Sequence, residues 1–349
     1  MFRFFVPKRA GGFAAFRLTI LFICLAFTRT TPAQGDLDVV WETDNGSPAL
    51  AYSASGKLLL AGTRLFTSDG TFLRNFVLPY SGGGPTSVAL SPDQQYAAVG
   101  IHAYNQNLDL FRVADGALLV GRISAHSNGT TSVAFSPDGQ LLATGGRDGT
   151  AKLWHVPDMT LIQTLNGGVG YRPRVFAVAF TRDGSLLAVG GQGGVVLYRV
   201  ADGQLVRELT GAASTLSVSV SADNQFIANA TNVIDQQGQC TDCMIKIWRI
   251  ADGTLLRTMD AQNNAPLSIA FSADGQVIAA GSEDRVAGNG LIRFWRLLDG
   301  ALLRSYNVGS GDSYVSGLVY SRNGSLIAFG STDAHTVVAR NPIPVNNFR

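Results

Sequence analysis

Short apolar blocks alternate with polar turns along most of this chain, a pattern that predicts antiparallel β-strands. One sequence motif occurs seven times. It consists of an apolar or aromatic residue, then usually Ser or Thr, a polar turn and an apolar run. Its copies begin at Tyr52, Leu90, Phe135, Phe180, Val220, Phe271 and Tyr320. The spacing ranges from 38 residues, between Tyr52 and Leu90, to 51, between Val220 and Phe271. Repeats of this length indicate stacked units that bury their faces against one another.

The third copy shows how one unit folds. Val133 and Phe135 alternate with small residues and predict a first strand, which the Ser-Pro-Asp-Gly turn from Ser136 reverses. Apolar runs at 141–144, 152–156 and 161–165 predict three further strands. The turn before the fourth strand recurs in other copies as Asp-Gly, a pair that favours tight hairpins. Each unit is therefore expected to be a four-stranded antiparallel sheet.

This third copy resembles a WD-repeat blade of a β-propeller. In that family a His, a Ser or Thr, an Asp and a Trp form a buried hydrogen-bonded tetrad in each blade. The matching residues here are His126, Thr144, Asp148 and Trp154. The other copies depart from the pattern: Trp248 and Trp295 keep the aromatic residue, whereas Phe66, Phe111 and Tyr198 replace it. The dipeptide that names the family is absent, since Trp154 is followed by His155.

The ends of the repeat array predict how the ring closes. The last copy offers only three strands, at 314–320, 326–329 and 336–340, and an additional strand at 37–43 precedes the first copy. Pairing these segments would complete the last blade and remove an open edge. The predicted fold is an all-β, seven-bladed β-propeller of four-stranded antiparallel blades, closed by the N-terminal strand. It would span residues 34–349 and form a monomer.

Residues 1–33 predict a signal peptide. Five basic residues and no acidic ones accompany the apolar run LTILFICLAF, and Thr31 and Ala33 occupy the small positions before a cleavage site. The run is short for a membrane span, which needs about 20 residues. We therefore expect export, secreted or periplasmic, with no membrane span after cleavage. An uncleaved N-terminal membrane anchor is the alternative, and an intracellular protein is a third interpretation.

The charge of the chain bears on whether it binds nucleic acid, and its cysteines bear on whether it forms a disulfide. After position 33 the chain has 22 basic and 25 acidic residues and no basic run, which argues against nucleic acid as a partner. Cys240 and Cys243 form a C-T-D-C pair that could close a local disulfide in an oxidising compartment. Free thiols, a redox pair and a metal site are the alternatives.

Binding residues are expected on one face of the ring. The turns within the repeats are uniform on the bottom face, whereas the variable loops and inter-blade links lie on the top face. Variable loops on a rigid scaffold commonly carry function. Aromatic and cationic residues there, the types enriched in interfaces, are the candidates: Tyr80, His102, Tyr104, Arg147, Tyr171, Arg172, Arg174 and Arg285.

These features predict a non-catalytic scaffold that binds a protein or peptide on its top face, without cofactor or metal. The innermost strands contain no Asp, Glu or His that could ligate a hard cation. The sequence also lacks a G-x-S-x-G nucleophile motif and a phosphate-binding loop. The alternative function is a lactonase-like envelope propeller that binds or hydrolyses a carbohydrate or small molecule. The remaining interpretation is that the top face has no function and that its loops vary in sequence and length because nothing constrains them.

Overall fold

Seven four-stranded antiparallel sheets make up the part of the chain that the structure describes. This structure is a computed structural model, and it describes residues 36–44, 46–79, 83–103, 107–167, 174–210, 214–233, 241–262, 264–284, 288–308, 314–332 and 335–343. The described residues include no helix with the length and apolar character that a bilayer crossing would need. The all-β prediction and the count of seven blades are confirmed.

The first four blades follow chain order from the inner strand to the outer strand. Blade 1 is β2 (Leu50–Tyr52), β3 (Leu58–Ala61), β4 (Arg64–Thr67) and β5 (Phe72–Asn75). Blade 2 is β6 (Pro85–Leu90), β7 (Tyr96–Ile101), β8 (Leu108–Arg112) and β9 (Leu118–Ile123). Blade 3 is β10 (Thr130–Phe135), β11 (Leu141–Gly146), β12 (Thr150–His155) and β13 (Leu161–Asn166). Blade 4 is β14 (Val175–Phe180), β15 (Leu186–Gly191), β16 (Gly194–Arg199) and β17 (Leu205–Thr210).

The last three blades complete the ring. Blade 5 is β18 (Ser214–Val220), β19 (Phe226–Asn232), β20 (Met244–Arg249) and β21 (Leu255–Asp260). Blade 6 is β22 (Pro266–Phe271), β23 (Val277–Asp284), β24 (Asn289–Arg296) and β25 (Leu302–Val308). Blade 7 is β26 (Val315–Tyr320), β27 (Leu326–Ser331), β28 (Thr336–Arg340) and, as its outer strand, β1 (Val39–Thr43). The chain start thus completes the last blade, as predicted.

One aromatic residue ties this closing strand to the first blade. Trp41 of β1 stacks on Phe66 with ring centroids 5.2 Å apart, and its indole N–H donates to the Ser68 carbonyl at 3.0 Å. Gly70 is required at this contact, because a Cβ there would lie 2.7 Å from the Trp41 ring. Blade 7 and blade 1 are therefore joined both through the backbone ladder of β1 and through Trp41.

The core lies between neighbouring blades. The second and third strands of the blades are buried along nearly their whole length. The apolar clusters that they form with the inner strands combine residues of adjacent blades. Around the channel, serine hydroxyls on inner strands link blade 2 to blade 3, blade 3 to blade 4 and blade 5 to blade 6. The Val133 N–H donates to Ser87 Oγ at 3.0 Å, and the Val178 N–H donates to Ser132 Oγ at 3.1 Å. These contacts make the ring a rigid frame for its loops.

Side-chain hydrogen bonds stabilise the turns between first and second strands. In blade 3, the Ser136 hydroxyl donates to Asp138 at 2.5 Å and accepts from the Leu141 N–H at 2.9 Å. Asp138 also accepts from the Gln140 N–H at 3.0 Å, and Gly139 takes a φ of 74°. The other blades keep the Ser or Thr hydroxyl that accepts from the second strand. The Asp is replaced by Ser55 in blade 1 and by Asn323 in blade 7, and the Gly by Gln94 in blade 2 and Asn224 in blade 5.

The Asp-Gly turns before the fourth strands differ in detail from a two-residue hairpin. At Asp115-Gly116 only the glycine has a positive φ, of 80°. The Asp115 carboxylate instead accepts from the Ala117 N–H at 3.0 Å and pairs with Arg112 at 2.8 Å. The aspartate therefore stabilises a longer turn by accepting hydrogen bonds, and its own backbone stays out of the left-handed region.

Candidate interaction face

Three of the eight predicted binding residues lie together at a recess in the top face. His102, Arg147 and Arg174 line it with Ala103 and Asn128, and its volume is about 290 Å³. The other five candidates lie outside the described residues: Tyr80, Tyr104, Tyr171, Arg172 and Arg285. Loops far apart in the sequence therefore contribute to one site.

Three neighbouring blades position these side chains. His102 follows β7 of blade 2, and Asn128 lies in the link between β9 and β10. Arg147 follows β11 of blade 3, and Arg174 directly precedes β14 of blade 4. All four segments emerge at the same end of the sheets, since Thr130 pairs with Gly146 and Thr150 pairs with Asn166. The recess is thus a product of the ring and not of one repeat.

Glycines allow the loops around His102 to approach closely. A Cβ at Gly83 would lie 2.5 Å from the His102 carbonyl oxygen, and a Cβ at Gly129 would lie 3.0 Å from His102 Cδ2. Both glycines also have positive φ, 89° and 97°. A side chain at either position would therefore be strained and would require His102 or the glycine's own loop to shift.

A buried asparagine fixes the link that carries Asn128. The Asn107 amide accepts from the His126 N–H at 3.2 Å and from the Thr130 hydroxyl at 3.0 Å. Its NH₂ group donates to the Ala103 carbonyl at 3.1 Å. Asn107 is fully buried and therefore joins the His102 loop to the next blade. Sequence reasoning missed it; the only signal was an amide standing directly before a buried strand.

The recess is cationic. His102, Asn128, Arg147 and Arg174 are all exposed, and no acidic residue is among the described residues that line it. Neither Arg147 nor Arg174 has a side-chain hydrogen bond or ion pair within the described part of the chain. The turns before the fourth strands differ, because there each of four arginines pairs with the aspartate three residues later: Arg112, Arg199, Arg249 and Arg296.

The four residues of the predicted tetrad lie in one hydrogen-bonded chain behind the recess. The Trp154 indole N–H donates to Thr144 Oγ1 at 3.0 Å, and His126 Nε2 lies 2.8 Å from the same hydroxyl. His126 Nδ1 lies 3.0 Å from Asp148 Oδ1. A neutral His126 with its proton on Nδ1 satisfies every donor: Trp154 to Thr144, Thr144 to His126, and His126 to Asp148.

The Asp148 carboxylate is held by hydrogen bonds within blade 3 and the link before it. It accepts from His126, from the Ser127 N–H at 3.1 Å and from the Thr150 N–H at 3.1 Å. Partial burial raises the pKa of Asp148, but hydrogen bonds from His126, from Thr150 and from the Ser127 N–H outweigh it and hold this pKa well below its usual range. Asp148 therefore forms structural hydrogen bonds, and it makes no ion pair with Arg147 among the described residues.

Blade 5 rebuilds the polar centre with other residues. The Trp248 indole N–H donates to Asn229 Oδ1 at 2.7 Å, and the Asn229 NH₂ group donates to Thr215 Oγ1 at 2.9 Å. Asn229 occupies the place that Thr144 has in blade 3, and its longer side chain reaches the inner strand directly. Matching residue types alone could not reveal this substitution.

Of the two cysteines in the C-T-D-C pair, only Cys243 is among the described residues. Cys243 is buried and disulfide-bonded, while Cys240 lies outside the described residues. Within the described residues, no three His, Cys, Asp or Glu side chains lie close enough together to hold a metal ion.

Comparison with known families agrees with this architecture. The family model described as "WD domain, G-beta repeat" matches residues 118–155 and 253–296. Each match starts near the outer strand of one blade and ends on the third strand of the next, which is the overlap that a closed ring uses. This chain is a WD-repeat β-propeller. Among curated proteins, none matches the WD-repeat chain significantly.

Proposed function

We propose that this WD-repeat propeller is an exported, non-catalytic scaffold that binds a protein or peptide through its top-face loops. The recess formed by His102, Asn128, Arg147 and Arg174 would be the main contact. WD-repeat propellers are typically interaction scaffolds, which supports the general class. The observation that carries the proposal is that two guanidinium groups line one recess and have no side-chain partner among the residues that the structure describes.

Charge complementarity suggests what the partner presents. Arginine is enriched at the energetic centres of interfaces and binds carboxylates with two parallel hydrogen bonds. The chain after position 33 carries a small excess of acidic residues, so the positive recess is a local feature. We therefore expect the bound segment to place an acidic side chain or a terminal carboxylate between Arg147 and Arg174.

A pair of matched variants tests the contact. The purified protein is used to capture binders from the secreted and envelope fractions of its source cell, and the captured protein is then purified and titrated directly. We expect Arg147→Ala with Arg174→Ala to weaken this binding by about tenfold or more, because desolvated arginines are frequent hot spots. Arg199→Ala, in a bottom turn where Arg199 pairs with Asp202, should leave the affinity unchanged. Equal affinity of all three proteins would contradict the proposal.

Export is a separate part of the proposal. It rests on the basic and apolar pattern of residues 1–33, which lie outside the described residues. N-terminal sequencing of the protein from its source cell should give a chain that begins at Gln34. A chain that keeps its first residues and sediments with membranes would support the anchored alternative instead.

The small-molecule alternative involves the same recess. Its volume of about 290 Å³ is at the lower end of the roughly 300–1,000 Å³ of ligand pockets, which fits one side chain or a small anion better than a sugar chain. The purified protein should therefore not hydrolyse esters or lactones and should carry no stoichiometric metal. Metal-dependent turnover would replace the scaffold proposal with the lactonase-like one.

A further inference from the structure

A second pair of arginines lies at the opposite end of the ring. The turns between first and second strands surround the bottom end of the central channel, and the turn position after Ser or Thr faces its rim. In blades 4 and 7 this position is Arg182 and Arg322. In the other blades it is small or apolar: Ala54, Pro92, Pro137, Ala222 and Ala273.

Both arginines line one cavity of about 270 Å³. The ends of the inner strands β18, β22 and β26 form its walls, with apolar side chains such as Val220, Phe271 and Leu318. No acidic residue is among the described residues that line it. The cavity therefore combines an apolar wall with two positive charges on almost opposite sides of the ring.

Acidic side chains in the turns around this cavity bond within their own turns, as Asp274 does with the Ser272 hydroxyl at 2.5 Å and the Gln276 N–H at 3.1 Å. Asp183 accepts from the Thr181 hydroxyl at 2.6 Å and from the Ser185 N–H at 3.0 Å. In blade 7 the equivalent residue is Asn323, which is neutral and bonds the Ser321 hydroxyl at 2.8 Å. These residues hold the turns and do not neutralise the two guanidinium groups.

The two arginines repel each other. Neither Arg182 nor Arg322 has a side-chain hydrogen bond or ion pair within the described residues. Partial burial, and then the positive charge of Arg322, lower the pKa of the Arg182 guanidinium. An alanine at the same position in blades 1, 5 and 6 shows that the turn does not need an arginine. The pair is thus a source of repulsion that folding alone does not explain.

We propose that the bottom mouth of the channel binds a small organic anion, with its carboxylate or phosphate between Arg182 and Arg322 and its apolar body against Val220, Phe271 and Leu318. Guanidinium groups suit both anions, because each presents paired N–H donors to two oxygens. A bound anion would relieve the repulsion between the two cations. This site is independent of the top-face recess and of the proposed scaffold function.

Calorimetric titration and thermal melting of the purified protein at low ionic strength test this site. The probes are hexanoate and inorganic phosphate, with hexanol as the neutral control. We expect saturable binding of at least one anion and a rise in melting temperature, since a ligand that binds the folded state stabilises it. Hexanoate binding alone would assign a carboxylate on an apolar body, and phosphate binding alone would assign a phosphoryl group.

Four variants make the result decisive. Arg182→Ala and Arg322→Ala should each weaken anion binding by about tenfold or more while melting at or above the temperature of the parent protein. Arg322→Gln serves where the alanine variant does not fold. Arg199→Ala, on the bottom face but away from the mouth, should bind as the parent does. No saturable binding of either anion, or equal binding by the mouth variants and Arg199→Ala, would overturn the proposal.

Discussion

The Thr144 hydroxyl connects the Trp154 indole to the His126 imidazole in blade 3. It accepts from the Trp154 indole and lies 2.8 Å from His126 Nε2, and all three side chains are buried. Buried donors without partners are costly, whereas satisfied ones specify a unique packing. Thr144 therefore holds Trp154 and His126 in the orientation in which His126 also reaches Asp148.

The Thr144→Val substitution tests this role. It keeps the side-chain shape but leaves the Trp154 N–H and His126 Nε2 without their partner. We expect the free energy of unfolding to fall by about 1–3 kcal/mol, measured by urea denaturation. Thr164→Val, at an exposed position of β13, should change it by less than about 0.5 kcal/mol. Similar losses in the two variants would show that the tetrad contributes nothing specific.

At the scale of elements, the outer strand of blade 7 carries the closure of the ring. β1 pairs with β28 over Val39–Thr43, and Trp41 continues the contact to Phe66 and Ser68 of blade 1. A ring that opens at this point would expose the edge of β28 and the core beneath it. Closure thus depends on a strand that is more than 290 residues away from its partner along the chain.

Replacing Trp41 should weaken this closure locally. Trp41 is half-buried, so we expect Trp41→Ala to destabilise the fold toward the lower end of the ~3–5 kcal/mol range for buried tryptophan. Hydrogen exchange should accelerate first at the β28 amides and later at β11. Val40→Ala, at an exposed position of the same strand, is the control. Uniform acceleration across all blades would argue against a closing role for β1.

Much of the architecture could be predicted because it depends on local patterns. Alternating apolar residues and the Ser-x-Asp-Gly turn determine each blade, and even the closing strand followed from a missing fourth strand. Asn107 and Asn229 could not be predicted, since their roles depend on contacts with residues of other strands that the ring brings close. The recess could not be predicted for the same reason, because His102 of blade 2 and Arg174 of blade 4 line it together only in the folded ring.

At the scale of the whole molecule, the two faces treat charge differently. Bottom-turn arginines such as Arg112 and Arg249 are neutralised within their own turns. On the top face, Arg147 and Arg174 are exposed and unpaired within the described residues, beside His102 and Asn128. The turns before the fourth strands are therefore self-satisfied in charge, whereas the top recess has charge available for a partner. On the bottom face, Arg182 and Arg322 at the channel mouth are the exception.

Site-specific photo-crosslinking in the source cell tests this asymmetry most directly. A photoreactive side chain replaces Asn128 at the recess in one variant and Ala201, exposed in a bottom turn, in another. The account predicts a discrete protein adduct from position 128 that is lost on adding Arg147→Ala and Arg174→Ala, and none from position 201. No adduct from position 128, or the same adduct from both positions, would contradict a top-face interaction site.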